Sequence, residues 1–315
     1  GKFEDLYNHD ENAVIRFYWG DVMYDIIIIG MGISGITAGI YAKRSNKKIL
    51  LIDKGMVGGL LNNIDKVSNY PGLINIEGPE FAAILESQIK ELNIPFTFEE
   101  VKSLDLDSKV KKVITDKNIY EAKKVILAMG RKPKFLGLDN EKDLLGKGLS
   151  TCAMCDAFFY KDKDIAVVGT GNSALEESLY LSNIVNHIYL INRRDGFRGE
   201  ASLVEQVKNN SKIEIIYNSN IKKVNTKDEK ISSITLDNGT SIDVTGVFIY
   251  VGYKPATEFV PNIILDDEGY VKVNEKLETK INGVYAAGDV IKKDTYQLIT
   301  AASDGARVIT NMKQD

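Results

Sequence analysis

The chain repeats itself. Sliding the sequence by 139 residues superimposes Asp25 on Asp164, Ile26 on Ile165, Gly30 on Gly169, Gly32 on Gly171 and Ser34 on Ser173. Without a gap, the match continues with Tyr41 on Tyr180, Ile49 on Ile188, Leu51 on Leu190 and Ile52 on Ile191. Each copy has the order of a βαβ unit: an apolar run, a glycine-rich turn, a helical stretch, then a second apolar run. The runs at 26–29 and 165–168 are apolar without alternation, as in strands buried on both faces of a parallel sheet. The pattern predicts an α/β fold with two Rossmann-like dinucleotide-binding domains.

The first turn reads Gly30-Met-Gly32-Ile-Ser34-Gly35. Its first glycine permits the tight turn, the second lets backbone approach a pyrophosphate, and the third permits close helix–strand packing. The helix that follows presents free N–H groups and a positive dipole end to phosphate. Asp53 ends the next apolar run, where a carboxylate accepts hydrogen bonds from a ribose 2′-hydroxyl.

The second turn reads Gly169-Thr-Gly171-Asn172-Ser173-Ala174. The register places Asn192 at the position of Asp53, so the carboxylate is gone, and Arg193, Arg194 and Arg198 follow. Guanidinium groups bind phosphate through forked donors. The first site therefore suits a nucleotide with a free ribose and the second one with a 2′-phosphate, which predicts FAD and NADPH respectively.

Two cysteines and two histidines leave little room for metal chemistry, because a structural zinc site needs four nitrogen or sulfur ligands; no metal is expected. One bridge cannot staple 315 residues, so no disulfide scaffold is expected either. What remains is Cys152-Ala-Met-Cys155, a spacing associated with thiol–disulfide exchange. Asp156 is the candidate general acid/base beside it, since neither histidine lies near in sequence. Forty basic against forty-four acidic residues give a net charge of −4, which offers nothing to a phosphate backbone, so no nucleic-acid partner is expected. No run approaches the apolar length of a membrane span. Residues 1–22 are broken by charges and read as a peripheral extension or a start-site artefact rather than a signal peptide, and the protein is expected to be cytoplasmic.

Two nucleotide units with a CxxC just ahead of the second resemble the low-molecular-weight, NADPH-dependent bacterial thioredoxin reductases. The likeness runs from about Tyr24 to Asn311 and includes Asn69-Tyr-Pro-Gly72, Cys152-Ala-Met-Cys155-Asp156, Arg193-Arg194 with Arg198, Ala287-Gly288-Asp289-Val290 and Gln297 to Gly305. It implies a discontinuous FAD domain, 23–131 and 255–315, with an NADPH domain, 132–254, inserted between two connectors. It also implies that Gly288 and Asp289 close over the ribitol and pyrophosphate and that Gln297 lies beside the flavin ring, with Gly59, Leu60 and Asn69 in the same site. By the same resemblance Cys155 faces the flavin, Cys152 attacks the thioredoxin disulfide, and the molecule is a homodimer. The chain departs from the family pattern at Leu60, Ala157, Asn192, Tyr296 and Ser303, where Gln, Gly, His, Arg and Gly are usual. A thiol oxidase passing electrons to oxygen would carry the same residues. A redox-sensing flavoprotein without turnover is the alternative from another class.

Overall fold

The computed structural model describes residues 22–312. The expected extension, residues 1–22, lies outside these apart from Val22. The chain divides into two compact units. One joins the residues up to Arg131 to those from Pro255 onward, and the other is Lys132–Lys254.

In the first unit, β1 (Met23–Ile29) is buried from Ile26 to Ile29. It leads through Gly32 into α1 (Ile33–Arg44), which leads back to β2 (Ile49–Asp53). β1 and β2 pair in parallel, Ile29 opposite Ile52, so both strands end at the same edge. Beyond them lie β3 (Phe96–Phe98), β4 (Val101–Asp105), β5 (Lys111–Thr115) and β6 (Ile119–Leu127), in the sheet order β3-β2-β1-β6-β5-β4. β6 serves two partners on its far side. Its first half pairs antiparallel with β5, Ala122 opposite Lys111, and its second half pairs in parallel with the strand Val284–Ala286, Val125 opposite Val284. The segment after Pro255 thus completes a sheet that the first segment begins.

The closing helix, Leu298–Thr310, buries Ala301, Ala302, Val308 and Ile309. It crosses α1 so closely that a Cβ at Gly305 would stand 2.3 Å from the Ser34 carbonyl oxygen. β6 starts five residues earlier than its apolar core at 124–127 suggests, because Tyr120 and Ala122 bury alternate positions ahead of it. β3 and β4 leave no comparable trace in the sequence: one residue of the eight, Val101, is buried.

The second unit builds its own parallel sheet from β7 (Leu149–Ser150), β8 (Asp164–Gly169), β9 (His187–Ile191), β10 (Ile213–Ile216) and β11 (Gly246–Tyr250), ordered β10-β9-β8-β11-β7. Alternation sends its side chains to two faces. Ile165, Val167, Ile188, Leu190 and Phe248 pack with Ala174, Leu175 and Leu181 of α2 (Asn172–Ser182). Ala166, Val168, Ile191, Val247 and Ile249 pack instead against Ile221, Val224, Ile231, Ile234 and Leu236. Those last residues come from an antiparallel sheet formed by Ile221–Lys227, Lys230–Leu236 and Ser241–Asp243. Helix on one face and sheet on the other leave the carboxyl ends of the parallel strands as an uncovered edge, where ligands of such sheets bind.

Candidate active site

At the carboxyl end of β1, Gly30 takes φ 110°, and a Cβ there would lie 2.1 Å from the Ala128 carbonyl oxygen. Gly35 packs against the turn itself, its missing Cβ 1.9 Å from the Gly30 oxygen. Gly32 differs: a Cβ there would meet nothing within 4 Å. The first and third glycines are therefore demanded by the protein's own packing, while the second faces open space at the start of a helix that no side chain caps. That is the geometry a bound pyrophosphate requires.

Other parts of the first unit converge on this turn. The Gly58 N–H donates to the Met31 carbonyl at 2.7 Å, and a Cβ at Gly59 would stand 3.5 Å from the Gly32 Cα. Leu60 follows in the same short 3-10 turn, half-buried. A Cβ at Gly288 would collide with Ser34 Oγ at 2.5 Å, so the Gly288–Asp289 turn sits on the first turn of α1. Asn69 and Gln297, 228 residues apart, are joined by a 3.2 Å hydrogen bond from Asn69 Nδ2 to Gln297 Oε1. Asp53 accepts the Met31 N–H at 2.8 Å and the Gly55 N–H at 2.9 Å, tying its strand end to the glycine turn.

Asp289 is the electrostatic centre of this group. Its Oδ1 is buried with no hydrogen-bond partner among the described residues, an acceptor left open. Burial pushes its carboxyl above the usual range, Arg131 and Lys293 pull it down, and Asp304 pushes it up. Asp304 is itself buried, accepting the Gly288 N–H at 3.0 Å and paired with Lys293. Arg131, Lys293 and Asp304 are not apparent as site residues in the sequence; the available signal is Asp304, a carboxylate on the buried face of an otherwise apolar helix.

The second unit carries a cavity of about 650 Å³ at the corresponding edge, lined by Gly169–Ser173 on one side and by Arg193 and Arg198 on another. A Cβ at Gly171, as at Gly32, would meet nothing within 4 Å. The Arg198 N–H donates to the Thr170 carbonyl at 2.7 Å, which ties the arginine loop to the glycine turn. Asn172 Oδ1 accepts the Glu200 N–H at 2.7 Å and fixes the loop's far end. Ala174, fully buried, packs behind the turn. Arg194 is not among the residues lining the cavity, and its Nε is buried without a hydrogen-bond partner among the described residues.

Asn192 does not face the cavity. It is fully buried, its Oδ1 accepting the Arg194 N–H at 2.8 Å and its Nδ2 donating to the Gly196 carbonyl at 3.1 Å. Both ends of the amide are spent on shaping the loop that carries the arginines. The register gives its place, at the end of a strand as Asp53 is, but its work is structural.

The cavity wall reaches Thr151, the neighbour of Cys152. Cys152 and Cys155 form a disulfide, Cα atoms 5.3 Å apart, on the turn Ala153–Asp156 directly after β7. Cys152 is 9% exposed, and its Sγ accepts the Cys155 N–H at 3.2 Å; Cys155 lies at the surface. Ser150 Oγ accepts the Cys152 N–H at 3.1 Å and donates to Asp156 Oδ2 at 2.5 Å, so one hydroxyl links the first cysteine to the acid. The Ala153 N–H donates to the Tyr250 hydroxyl at 2.8 Å, and burial holds that phenol far above its usual pKa. Tyr250 ends β11, at the sheet edge where ligands are expected, and Ser150 ends the edge strand; neither was singled out in the sequence. Among the described residues no group of three or more His, Cys, Asp or Glu side chains could hold a metal ion, and no helix is long and apolar enough to cross a membrane.

Comparison with known proteins agrees with this geometry. The profile of the pyridine nucleotide-disulphide oxidoreductase family matches residues 24–306. A thioredoxin reductase of Bacillus subtilis is 36% identical over 90% of this chain and 92% of its own, and one of Mycolicibacterium smegmatis is 40% identical over 90% and 93%. Among solved structures, a thioredoxin reductase of Lactococcus lactis superimposes with a TM-score of 0.86 at 34% identity, covering 91% of this chain and 97% of that one. The chain belongs to the pyridine nucleotide-disulphide oxidoreductase family, as an oxidoreductase of the thioredoxin reductase type.

Proposed function

We propose that this enzyme transfers electrons from NADPH, through FAD, to the Cys152–Cys155 disulfide and on to the disulfide of a thioredoxin. The observation that carries the reading is the redox-active pair itself, one residue from the wall of a cavity lined by a glycine turn and two arginines. In the first unit the residues fit FAD: an uncapped helix start, the open face of Gly32, and the orphaned Oδ1 of Asp289. We assign its binding to Gly30, Gly32, Ser34, Gly35, Asp53, Gly59, Leu60, Asn69, Gly288, Asp289 and Gln297. NADPH is assigned to Gly169, Gly171, Asn172, Ser173 and Ala174, with Arg193 and Arg198 on the 2′-phosphate and Arg194 supporting their loop.

When bound, the flavin supplies the two-electron step between nicotinamide and disulfide that no side chain can perform. The chain then handles thiols and protons. Once the pair is reduced, the Cys155 N–H stabilises a thiolate on Cys152. That thiolate attacks one sulfur of the thioredoxin disulfide and expels the other as a thiolate, whose protonation we assign to Asp156. Cys155, as thiolate, then attacks Cys152 in the mixed disulfide, closing the original bond and releasing reduced thioredoxin. The reading further assigns this chain to a reducing, cytoplasmic compartment and to a homodimer, by family likeness alone.

Anaerobic titration tests the scheme. NADPH is expected to bleach the flavin absorbance, and NADH to do so less efficiently by ~10- to 100-fold, because charge-assisted hydrogen bonds to the 2′-phosphate are worth ~1.5–3 kcal/mol. Adding oxidised thioredoxin then restores the absorbance. Equal rates with the two nucleotides would overturn the assignment of the arginines, and electrons reaching only oxygen would make the enzyme a thiol oxidase.

A further inference from the structure

Arg131 has no place in the site as assigned so far. It ends the first segment of the first unit. Its guanidinium carbon stands 3.8 Å from the centre of the Tyr296 ring, and its Nε is 3.9 Å from Asp289 Oδ2. Both side chains of the pair are largely withdrawn from water, 19% and 24% exposed, so the attraction is weakly screened. A second tyrosine ring, Tyr270, lies 6.2 Å from Tyr296 at a tilt of 33°.

Asp289 divides its two oxygens between different tasks. Oδ2 faces Arg131, while Oδ1 is buried and has no hydrogen-bond partner among the described residues. An ionised carboxylate accepts on both oxygens; a protonated one turns one of them into a donor. The charged groups around Asp289 are Arg131 from the strand Arg131–Pro133, Lys293 from the segment before the closing helix, and Asp304 from that helix. Lys293 is paired with Asp304, which also takes the Gly288 N–H and faces Arg307 at 3.5 Å. Arg131 is the stronger of the two cations acting on Asp289.

We propose that Arg131 is a positioning residue for the flavin: stacked on Tyr296, it keeps Asp289 an anionic acceptor whose open Oδ1 receives a hydroxyl of the bound cofactor. The proposal rests on the reading that the first unit binds FAD. The sign follows directly. Burial raises the Asp289 pKa and Arg131 opposes that rise. Without the cation, Asp289 protonates at higher pH and its acceptor is lost there.

The test uses purified holoenzyme and reads FAD release rather than turnover. Wild type, R131Q, R131K and R131Q/Y296R are diluted across the range from mildly acid to neutral, and the fluorescence of released FAD is measured, with circular dichroism to confirm folding. In R131Q, release is expected to begin about one pH unit higher than in wild type, since a cation this close typically moves a carboxylate by ~1–3 units. R131K, and the double variant with an arginine delivered from position 296, should both return the acid limb toward wild type. A role confined to packing would weaken retention equally at every pH, and that result, or an unshifted limb, overturns the proposal. Should R131Q fail to fold, a displaced limb in R131K together with no recovery in R131Q/Y296R overturns it equally. Wild type that holds no FAD at any pH overturns the flavin reading itself, whereas wild type that holds FAD with R131Q unchanged overturns this inference alone.

Discussion

The two sulfurs of the redox pair sit in unlike surroundings. Cys152 is nearly covered and takes a backbone N–H, whereas Cys155 lies at the surface, one residue from an acid tethered through Ser150. A Cys155→Ser variant is therefore expected to keep nucleotide-driven flavin reduction while losing thioredoxin reduction by ~10³-fold or more, because ring closure within CxxC is intramolecular and has no substitute. Stopped-flow absorbance checks the first half and a steady-state disulfide assay the second; thioredoxin reduction at the wild-type rate would rule out the dithiol relay. Residues of this kind were legible because their spacing states their chemistry. Asn192 was not. Its register was readable, but whether an amide faces a ligand or spends both ends on its own loop depends on Arg194 and Gly196 folding back over it. Arg131 was hidden for a similar reason: it reads as part of a polar connector until Tyr296 and Asp289 are brought to it from a distant part of the chain.

At the scale of elements, the short turn Ala157–Tyr160 after the disulfide shows what the chain leaves uncovered. Ala157 is fully buried and anchors it, while Phe158 and Phe159 are each 73% exposed. Two adjacent aromatic rings in water, beside a reactive disulfide, suit a protein substrate with an apolar rim around its own disulfide. Replacing both by alanine is expected to raise KM for thioredoxin by ~10-fold or more, the scale of an aromatic anchor in an interface. The rate of flavin reduction by NADPH should stay unchanged. Equal KM values in variant and wild type would move docking elsewhere. The central parallel strands were readable because their apolar runs are unbroken, and the helices because their apolar residues recur at helical spacing, whereas the parallel edge strand β3 was not. The antiparallel strands Ile221–Lys227 and Ser241–Asp243 were not, since they bury only Ile221, Val224 and Ile242, with no alternation in the first of them, and place Lys222, Lys223 and Ser241 in water. Their existence is dictated by the sheet face they cover, which no local pattern describes.

For the whole molecule, the consequence lies in where the chain passes between units. The Ala256 N–H donates to the Gly130 carbonyl at 3.0 Å, and the Lys134 N–H donates to the Gly252 carbonyl at 2.9 Å. The two passages thus run side by side, and each unit has ends that already meet. The inserted unit also has a complete core on both sheet faces. A fragment spanning 132–254 is accordingly expected to fold alone, with one cooperative thermal transition, and to bind a 2′-phosphorylated adenine nucleotide in preference to its unphosphorylated form. Calorimetry on the fragment checks both points, and a fragment without a cooperative transition would show that the second core depends on the first unit. The internal repeat made this two-part plan visible in the sequence. The way the split unit rejoins itself was visible only through likeness to relatives.

The strand Val284–Ala286 beside β6 has a consequence in time. During synthesis the inserted unit leaves the ribosome whole, whereas the sheet begun by β1 must wait for its last strand, for Asp289 and Gln297, and for the helix that lies across α1. Domains that fold as they are made do so from the amino end. In this chain the order is reversed: the insertion can settle first, and its host, which starts earlier, is finished only by the segment from Val284 onward. The Gly288–Asp289 turn can settle on the first turn of α1 only after that segment has emerged, and a chain truncated before Val284 would carry a finished second unit on an open, apolar sheet.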